Sequence, residues 1–253
     1  GNGGVEYSGS SLNALFAQRR NILRPSFYRM IRDILRFNEN SELDVDNLDE
    51  SETLGDYLRE NGYSQEFVDH YLVPMAAAIW SAEPVLILDM SVKFLVRFFS
   101  NHGLLQVNDR PKWRVIKGGS HQYVNKLVAG HRDRIRLNSP VQSVRRVNEG
   151  VELHSASGGR EFFDYVFVAC HSDQALSLVD DATTAEREVL GAIRYQANEA
   201  ILHTDDSLMP KRRQAWAAWN YHIPRESTRH VAVTYNMNIL QGLKAENQYL
   251  VDR

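Results

Sequence analysis

The sequence predicts an α+β protein, because its hydrophobic pattern changes near residue 113. Over residues 11 to about 101, apolar side chains recur at the spacing of amphipathic helices. After that point, short apolar runs alternate with clusters of glycine, proline, asparagine and serine, which is typical of strands joined by turns. With 253 residues, the chain is long enough for one large domain or two modest ones.

The first helices are marked by spacing and by capping residues. Apolar side chains at Leu23, Phe27, Ile31 and Leu35 lie four positions apart, and Pro25 suits the first turn of that helix, where a missing N–H has no cost. Further along, Thr53 and Asp56 resemble a capping box for a helix from Leu54 to Glu60, which Asn61-Gly62 ends.

Two more helices are expected before the pattern changes. Ser64 suits the N-cap of a helix that runs toward Pro74. The segment Val92 to Phe99 is apolar almost all round, which predicts a buried helix, and Asn101-His102-Gly103 ends it.

The remainder of the chain predicts mainly strands, with one helix after Gly118-Gly119-Ser120 and another capped by Thr183 and Glu186. The expected strands are Val5 to Tyr7, Trp113 to Ile116, Ile135 to Leu137, Val141 to Val147, Val151 to His154, Phe162 to Ala169, Ala200 to His203, Ala215 to Trp219, Val231 to Tyr235, and Tyr249 to Val251. Neither end carries a polar tail or a cap, so we expect a middle piece of a longer protein.

Composition excludes several classes of protein. The formal net charge of −3 argues against a nucleic-acid binder that relies on bulk charge. The single cysteine, Cys170, excludes a disulfide scaffold and favours a reducing compartment, so we expect a cytoplasmic protein. The longest apolar run, Tyr71 to Trp80, is too short to predict an integral membrane segment. Because Cys170 follows an apolar strand, a buried structural thiol is favoured over a nucleophile.

Arginine is concentrated between Arg19 and Arg36, where Asp33 alone opposes it. One interpretation is a basic helix that meets an anionic ligand or makes peripheral contact with a membrane. The alternative is that this segment and the acidic segment after it are solvated faces that partly neutralise each other.

Several catalytic motifs are absent from the sequence. It contains neither a P-loop nor H-E-x-x-H, and the nine histidines show no metal-ligand spacing. In Gly118-Gly119-Ser120-His121-Gln122, Gln122 stands where a hydrolase elbow needs its closing glycine. The start of the chain imitates G-x-G-x-x-G but has Glu6 at the third glycine and no strand before it.

The segment Trp113 to Ala169 resembles the flavin-containing amine oxidase superfamily, which includes monoamine oxidases and phytoene-desaturase-like enzymes. A Gly-Gly start, a helix, a strand before a Pro-Val pair and a β-meander follow one another in the family's order. The whole chain also resembles a bacterial subgroup of predicted NAD/FAD-binding, amine-oxidase-like proteins. The stretches that carry this second resemblance are Tyr7-Ser8-Gly9, Leu15 to Arg20, Ala78-Ile79-Trp80-Ser81, Asn101 to Leu105 and Trp113 to Gly119.

The resemblance implies a helical and mixed-sheet substrate-binding domain plus the β-meander of an FAD-binding, Rossmann-like domain. It divides the chain into a mainly helical substrate-binding region (1–112), a flavin-domain portion (113–180) and a return to the substrate-domain sheet (181–253).

The resemblance also assigns cofactor contacts. Val141 would offer its backbone to the adenine of FAD, and Ala169 would lie near the adenosine. Gly118 and Gly119 would allow close backbone packing, although an ordinary turn with a helix cap explains them equally well. The family often has proline at the position of His171, so the loop there is expected to differ.

The family's G-x-G-x-x-G unit and its C-terminal flavin segment are not found in this sequence, so we expect weak FAD binding, or none, by this chain alone. The whole protein is expected to be an FAD-dependent oxidoreductase that removes hydride from a C–N or C–C bond of a small apolar or amine substrate. A lipid-type desaturase or isomerase and a non-catalytic interaction module remain alternatives.

No acid–base pair identifies a catalytic residue in the sequence. Trp80, His102 and Trp113 are candidates for the substrate pocket because they lie in the subgroup's motifs, with core or turn packing as the alternative. The apolar residues between Tyr71 and Leu105 suit a fatty acyl chain, and they suit an ordinary helical core equally well.

Overall fold

The computed structural model describes residues 4–80, 82–107, 114–195, 197–223 and 232–253, and the chain forms two compact units. The first unit combines residues 1–119 with 199–253, and the second comprises residues 120–198. The architecture is α+β, as the sequence predicts. The functional assignment of 1–112, 113–180 and 181–253 stays a prediction.

Most helices of the described residues lie in the first unit. Its helices are α1 (Leu12–Leu15), α2 (Pro25–Asp44), α3 (Leu54–Glu60), α4 (Gln65–Phe67), α5 (Val73–Trp80), α6 (Pro84–Leu88), α7 (Val92–Asn101) and, within the sheet region, α11 (Met237–Gln241). A π-helical turn, Val68–Leu72, joins α4 to α5, and 3₁₀ turns cover Arg19–Leu23, Asp206–Leu208 and Arg213–Ala215.

Helix α2 begins at Pro25, as expected, and buries one apolar face. Phe27, Met30 and Phe37 lie on that face and are almost fully buried. Asp33 lies among them, and one of its carboxylate oxygens accepts the backbone N–H of Ser64 at 2.9 Å. This bond ties the middle of α2 to the start of α4.

Capping residues define α3 and α7. The Thr53 hydroxyl accepts the Asp56 N–H at 3.1 Å, which confirms the predicted cap, and Ser91 caps α7 through the Phe94 N–H. The two caps lie side by side, because Leu54 N–H bonds to the Met90 carbonyl at 2.8 Å. Helix α7 is amphipathic rather than buried all round, since the Phe94 side chain is 51% exposed.

The helix that starts after Ser64 does not end at Pro74 but continues to Trp80. A proline inside a helix removes one backbone donor and disturbs the preceding turn. Here the preceding turn is π-helical, with the Val73 N–H bonded to the Val68 carbonyl five residues back. The carbonyl four residues before the proline, that of His70, accepts the Tyr7 hydroxyl at 2.7 Å. The N-terminal segment therefore supplies the hydrogen bond that Pro74 cannot.

A single aromatic and aliphatic core holds these helices together. Phe37 contacts Phe67 with a ring-centroid distance of 5.5 Å, and Leu54, Leu72 and Phe99 are fully buried in the same cluster. The cluster contains residues of α2, α3, α4, α5 and α7, so a change in the packing of one helix alters the packing of the others.

The basic segment makes many contacts within the chain. Arg29 pairs with Glu66 at 2.6 Å, and Arg36 packs over the ring of Tyr63 and pairs with Asp33. Other contacts of the segment are Arg32 to Asp33, Arg19 to Asn13 and the Phe16 carbonyl, and Arg20 to the Gly4 carbonyl. These contacts favour neutralisation inside the protein, and peripheral membrane contact stays a prediction. Within the described residues, no helix has the length and apolar character needed to cross a membrane.

The first unit also contains an antiparallel four-stranded sheet. Its strands are β4 (Ile201–His203), β5 (Trp219–His222), β6 (Ala232–Asn236) and β7 (Leu250–Asp252), and they lie in the order β4-β7-β6-β5. The strands expected near Ala200, Val231 and Tyr249 are therefore confirmed. The strand expected over Ala215 to Trp219 is wrong, because Ala215 ends a 3₁₀ turn and β5 starts only at Trp219.

The second unit is built on an antiparallel meander of β1 (Val141–Val147), β2 (Gly150–Ser155) and β3 (Arg160–Phe163). Helices α8 (His121–Leu127), α9 (Ser172–Leu178) and α10 (Thr184–Ala192) accompany it, with 3₁₀ turns at Val128–Gly130 and Arg132–Arg134. The predicted Thr183 capping box is present. His171, where the family often has proline, is the N-cap residue of α9, and its ring stacks on Tyr195 at 4.4 Å.

Some strands expected from apolar runs do not form. Val5 to Tyr7, residues 114–116 and Ile135 to Leu137 are irregular, and the strand expected to reach Ala169 ends at Phe163. Trp113 itself lies outside the described residues. The runs contain β-forming side chains, but a strand exists only where a neighbour satisfies its backbone groups.

The segment after β3 is open to solvent. Tyr165 is 84% exposed and Phe167 is 94% exposed, although both belong to an apolar run. Cys170 is exposed as well, so the expectation of a buried thiol is wrong. An apolar segment without a covering layer leaves its side chains, and the thiol that follows them, in contact with water.

We expect Asp33→Asn to reduce the free energy of unfolding by about 1–3 kcal/mol at pH 7, since a hydrogen bond to a charged acceptor is weakened. Burial opposes ionisation, but the hydrogen bond from Ser64 and the nearby Arg36 and Arg32 outweigh it, so the pKa of Asp33 lies below its usual value. A lowered pKa stabilises the fold above the unfolded-state pKa, and this stabilisation is lost as pH falls through the folded-state pKa. Urea unfolding of both proteins at pH 7 and pH 3 measures this. The prediction is contradicted if the difference in free energy of unfolding between the two proteins is not smaller at pH 3 than at pH 7.

Tyr7→Phe is expected to lower the free energy of unfolding by about 0.5–1.5 kcal/mol, because the His70 carbonyl loses its donor at the proline. Burial raises the pKa of Tyr7, so its hydroxyl remains a donor throughout the neutral range. Tyr28→Phe is the matched control, since that ring is 47% exposed, and it should change stability by less than about 0.5 kcal/mol. Equal effects of the two variants in urea unfolding would contradict the role given to Tyr7.

Glycine is required at position 150, where φ is 152° and an added Cβ would run into the Phe163 carbonyl. We expect Gly150→Ala to destabilise the meander by more than the roughly 1–3 kcal/mol of an unfavourable backbone conformation alone. Gly158→Ala is the matched control, because φ is 83° there and the space is open. Hydrogen exchange in β1 and β2 gives the readout, and equal protection in the two variants would overturn the steric explanation.

Candidate functional site

The first unit contains a cavity of about 930 Å³, near the upper end of the roughly 300–1,000 Å³ found for small-molecule sites. Its wall is formed by the N-terminal segment 5–9, one face of the helix through Pro74, the end of α7, residues 114–115 and the region from residue 207 to 223, together with Leu240 of α11. All these residues belong to the first unit.

One helix face supplies the apolar floor of the cavity. The lining residues on this helix are His70, Tyr71, Pro74, Met75, Ala78 and Ile79. They recur as adjacent pairs four positions apart, which is the spacing of one side of a helix. Because the helix is held at its proline by the Tyr7 hydroxyl, and Tyr7 also lines the cavity, that hydrogen bond positions two parts of the wall at once.

The structure places His102 on the cavity wall at the end of α7. Its Nδ1 lies 2.8 Å from the Phe98 carbonyl, and its ring stacks on Phe98 with a centroid distance of 4.0 Å. Since a carbonyl only accepts, Nδ1 donates in this hydrogen bond. The hydrogen bond and the ring contact together fix the orientation of the imidazole.

The other two predicted pocket residues differ in position. Trp80 packs against Phe98 at 4.7 Å and stacks on Phe99 at 6.3 Å, so it lies in the aromatic core beside the cavity wall. Trp113 lies outside the described residues, while the next two residues, Arg114 and Val115, line the cavity. The assignment of Trp80, His102 and Trp113 to a substrate pocket stays a prediction.

Several polar side chains lie on the wall, and some of them are held by backbone carbonyl groups. Burial raises the pKa of Tyr221, so its hydroxyl stays protonated at neutral pH. The Nε2 of His222 lies against the Leu208 carbonyl and therefore carries a proton. Arg114 and Lys211 are exposed and bring positive charge to the cavity opening.

Sequence reasoning missed the contribution of the sheet. All four residues of β5, Trp219 to His222, line the cavity. The segment before this strand contributes Met209 and Ala215. The predicted strand ended at Trp219, so the sequence did not indicate that the rest of β5 belongs to the wall.

None of the four residues assigned to the cofactor is among the described residues that line the cavity. Val141 opens β1 and pairs with Ser155, and the register of the strand shifts between Val141 and Ser143. Ala169 is exposed after β3. Val141 and Ala169 belong to the second unit, whereas Gly118 and Gly119 end the 1–119 part of the first. The assignment of these four residues to the cofactor stays a prediction.

The glycine pair forms a tight turn before α8. Gly118 and Gly119 have φ values of 84° and 88°, a region that favours glycine, and the Gly119 N–H bonds to the Ile116 carbonyl at 2.9 Å. The turn explains why both positions are glycine, whether or not a ligand approaches them.

Comparison with known proteins gives a family and a fold. Curated protein sequences yield no match, whereas 26 chains of solved structures match. One is a putrescine oxidase redesigned in its cofactor binding, with a TM-score of 0.58, 12% identity and 90% of this chain covered. The present chain spans about half of that structure, 51% of its length. At this identity the likeness establishes the fold alone.

The family comparison covers most of the chain. The family model described as flavin containing amine oxidoreductase matches residues 6–231. This range includes the helical core, the meander and most of the described wall of the cavity. The chain therefore belongs to the flavin-containing amine oxidoreductase family.

Proposed function

We propose that this chain is the substrate-binding part, together with a β-meander of the flavin domain, of an FAD-dependent oxidoreductase acting on an apolar substrate. The observation that carries the proposal is the large apolar-floored cavity in a chain that belongs to a flavin family. The substrate would lose hydride from a C–N or C–C bond. Bound FAD would supply the hydride acceptor, while the residues of this chain bind the substrate, orient it and exclude water.

The residues present suit part of an FAD site. Strand β1 lies at one edge of the meander, and its shifted register at Val141 alters the regular alternation of backbone groups where adenine contact is proposed. The exposed apolar run that contains Tyr165 and Phe167 suits a sheet with a further layer against it. Pyrophosphate binding depends on a G-x-G-x-x-G turn, which this sequence lacks. We therefore propose that the chain alone binds FAD weakly or not at all.

Visible flavin absorbance of the purified chain, beside that of the complete gene product, tests this proposal. We expect flavin in the complete product and little or none in the present chain, even after FAD is added and excess is removed. Flavin retained by the chain alone would refute the proposed division of the site. If neither protein holds flavin after FAD addition, the oxidoreductase proposal fails and an interaction module becomes the better explanation.

A lipid-type desaturase or isomerase is the second candidate, and the apolar floor formed by Met75, Ala78 and Ile79 favours it. Membership of the flavin containing amine oxidoreductase family instead supports an amine substrate. Release of hydrogen peroxide by the flavin-loaded complete protein on addition of alkylamines separates the two. Peroxide release favours the amine oxidase, and none across a series of chain lengths favours the lipid enzyme.

A further inference from the structure

The charge on the described wall of the cavity is unevenly distributed. Arg114 and Lys211 are both exposed, so they lie where the cavity opens to solvent. Among the lining residues that the structure describes, Glu6 is the one carboxylate. Two cations and one anion leave the opening with an excess of positive charge.

The Glu6 carboxylate already has a partner in the backbone. The Oε2 atom of this carboxylate accepts the Arg212 N–H at 3.2 Å. The backbone N–H of Glu6 donates to the Gln18 side chain at 3.1 Å. Glu6 is thereby held beside the backbone of the residue that follows Lys211. The carboxylate can still accept further hydrogen bonds, so an incoming ammonium group meets this one anion and the two cations.

Behind the opening, the wall is mainly apolar. Met75, Ile79 and Leu104 line it from the helices, and Met209 and Ala215 line it from the turn before β5. Transfer of an alkyl chain from water to such a surface is favourable, and the gain grows with each CH₂ group that is buried. An apolar body with an anionic head matches both parts of the cavity.

We propose that the cavity binds an apolar molecule that carries a carboxylate, with its head at Arg114 and Lys211 and its alkyl part against the helix through Pro74. The inference that this ligand is the substrate rests on the proposed flavin function, but binding itself requires no flavin. Arginine offers a carboxylate two parallel N–H donors, and lysine adds a mobile positive charge. The cavity therefore selects against amines of the same chain length.

Calorimetric titration of the full 253-residue chain with dodecanoate, dodecanol and dodecylamine, each below its micelle concentration, tests the proposal. We expect dodecanoate to bind more tightly than dodecanol, and dodecylamine to bind most weakly. Added salt should weaken dodecanoate binding and leave dodecanol binding nearly unchanged. Binding of dodecylamine as tight as that of dodecanoate would overturn the proposal.

Substitutions locate the head group. Exposed ion pairs contribute about 0.2–1 kcal/mol each, so Arg114→Ala and Lys211→Ala should each weaken dodecanoate binding by up to about five-fold and leave dodecanol binding unchanged. The double variant Arg114→Glu/Lys211→Glu should prefer dodecylamine. Lys244→Ala, an exposed lysine away from the described cavity wall, is the matched control and should bind all three ligands like the unsubstituted chain. Equal losses for dodecanoate and dodecanol would refute a carboxylate site at these residues.

These outcomes separate the two proposals. Selective dodecanoate binding by a protein whose complete form holds no flavin would retain the ligand site and reject the oxidoreductase function. If the complete protein holds flavin but the 253-residue chain prefers dodecylamine, the oxidoreductase function is retained and the carboxylate site is rejected.

Discussion

The cavity depends on how the helix that forms its floor tolerates a proline in its interior. Pro74 removes a backbone donor from a helix that is otherwise continuous from Gln65 to Trp80, at a cost of about 3 kcal/mol in an ordinary helix. The π-helical turn before the proline and the Tyr7 hydroxyl on the His70 carbonyl compensate for the missing bond. Tyr7, His70 and Pro74 all line the cavity. The hydrogen bond from Tyr7 to the His70 carbonyl therefore stabilises the helix and also sets the distance between the N-terminal segment and this helix.

This constraint explains why motifs far apart in the sequence belong together. The stretches around Tyr7, Ala78, His102 and Arg114 carried the resemblance to an amine-oxidase-like subgroup, and each of them contributes to one cavity wall. These stretches also have roles in the local structure, such as a hydrogen bond at the proline, a helix face and a helix C-cap. Local packing and ligand contact are therefore not competing explanations for these residues, since the packing creates the surface that a ligand would meet.

The parts of the fold that were predictable from sequence are those that local chemistry decides. Pro25, Thr53 and Thr183 start helices through interactions within one turn, and Asn148 to Gly150 joins two strands that pair with each other. The errors occur where a distant partner decides the outcome. Tyr165 to Ala169 is as apolar as a buried strand but pairs with no strand in the described part of the chain, and the helix that contains Pro74 receives a hydrogen bond from the distant Tyr7. The candidate site was predictable only in part for the same reason, because the contribution of β5 arises from tertiary contact between a strand and a helix.

The division of the cavity into an apolar floor and a charged opening has a consequence for the chemistry of an oxidoreductase. Hydride leaves from whichever bond is held against the acceptor, so selectivity depends on how the substrate is positioned along the cavity. An alkyl chain on an apolar wall slides with little change in energy, because each CH₂ group contacts an equivalent surface. A head group held at Arg114 and Lys211 removes that freedom, since sliding would separate the ion pair. In such a site the position of the oxidised bond is set by its distance from the head group. The charged opening would thus determine which bond reacts, even though it lies away from the reacting atoms.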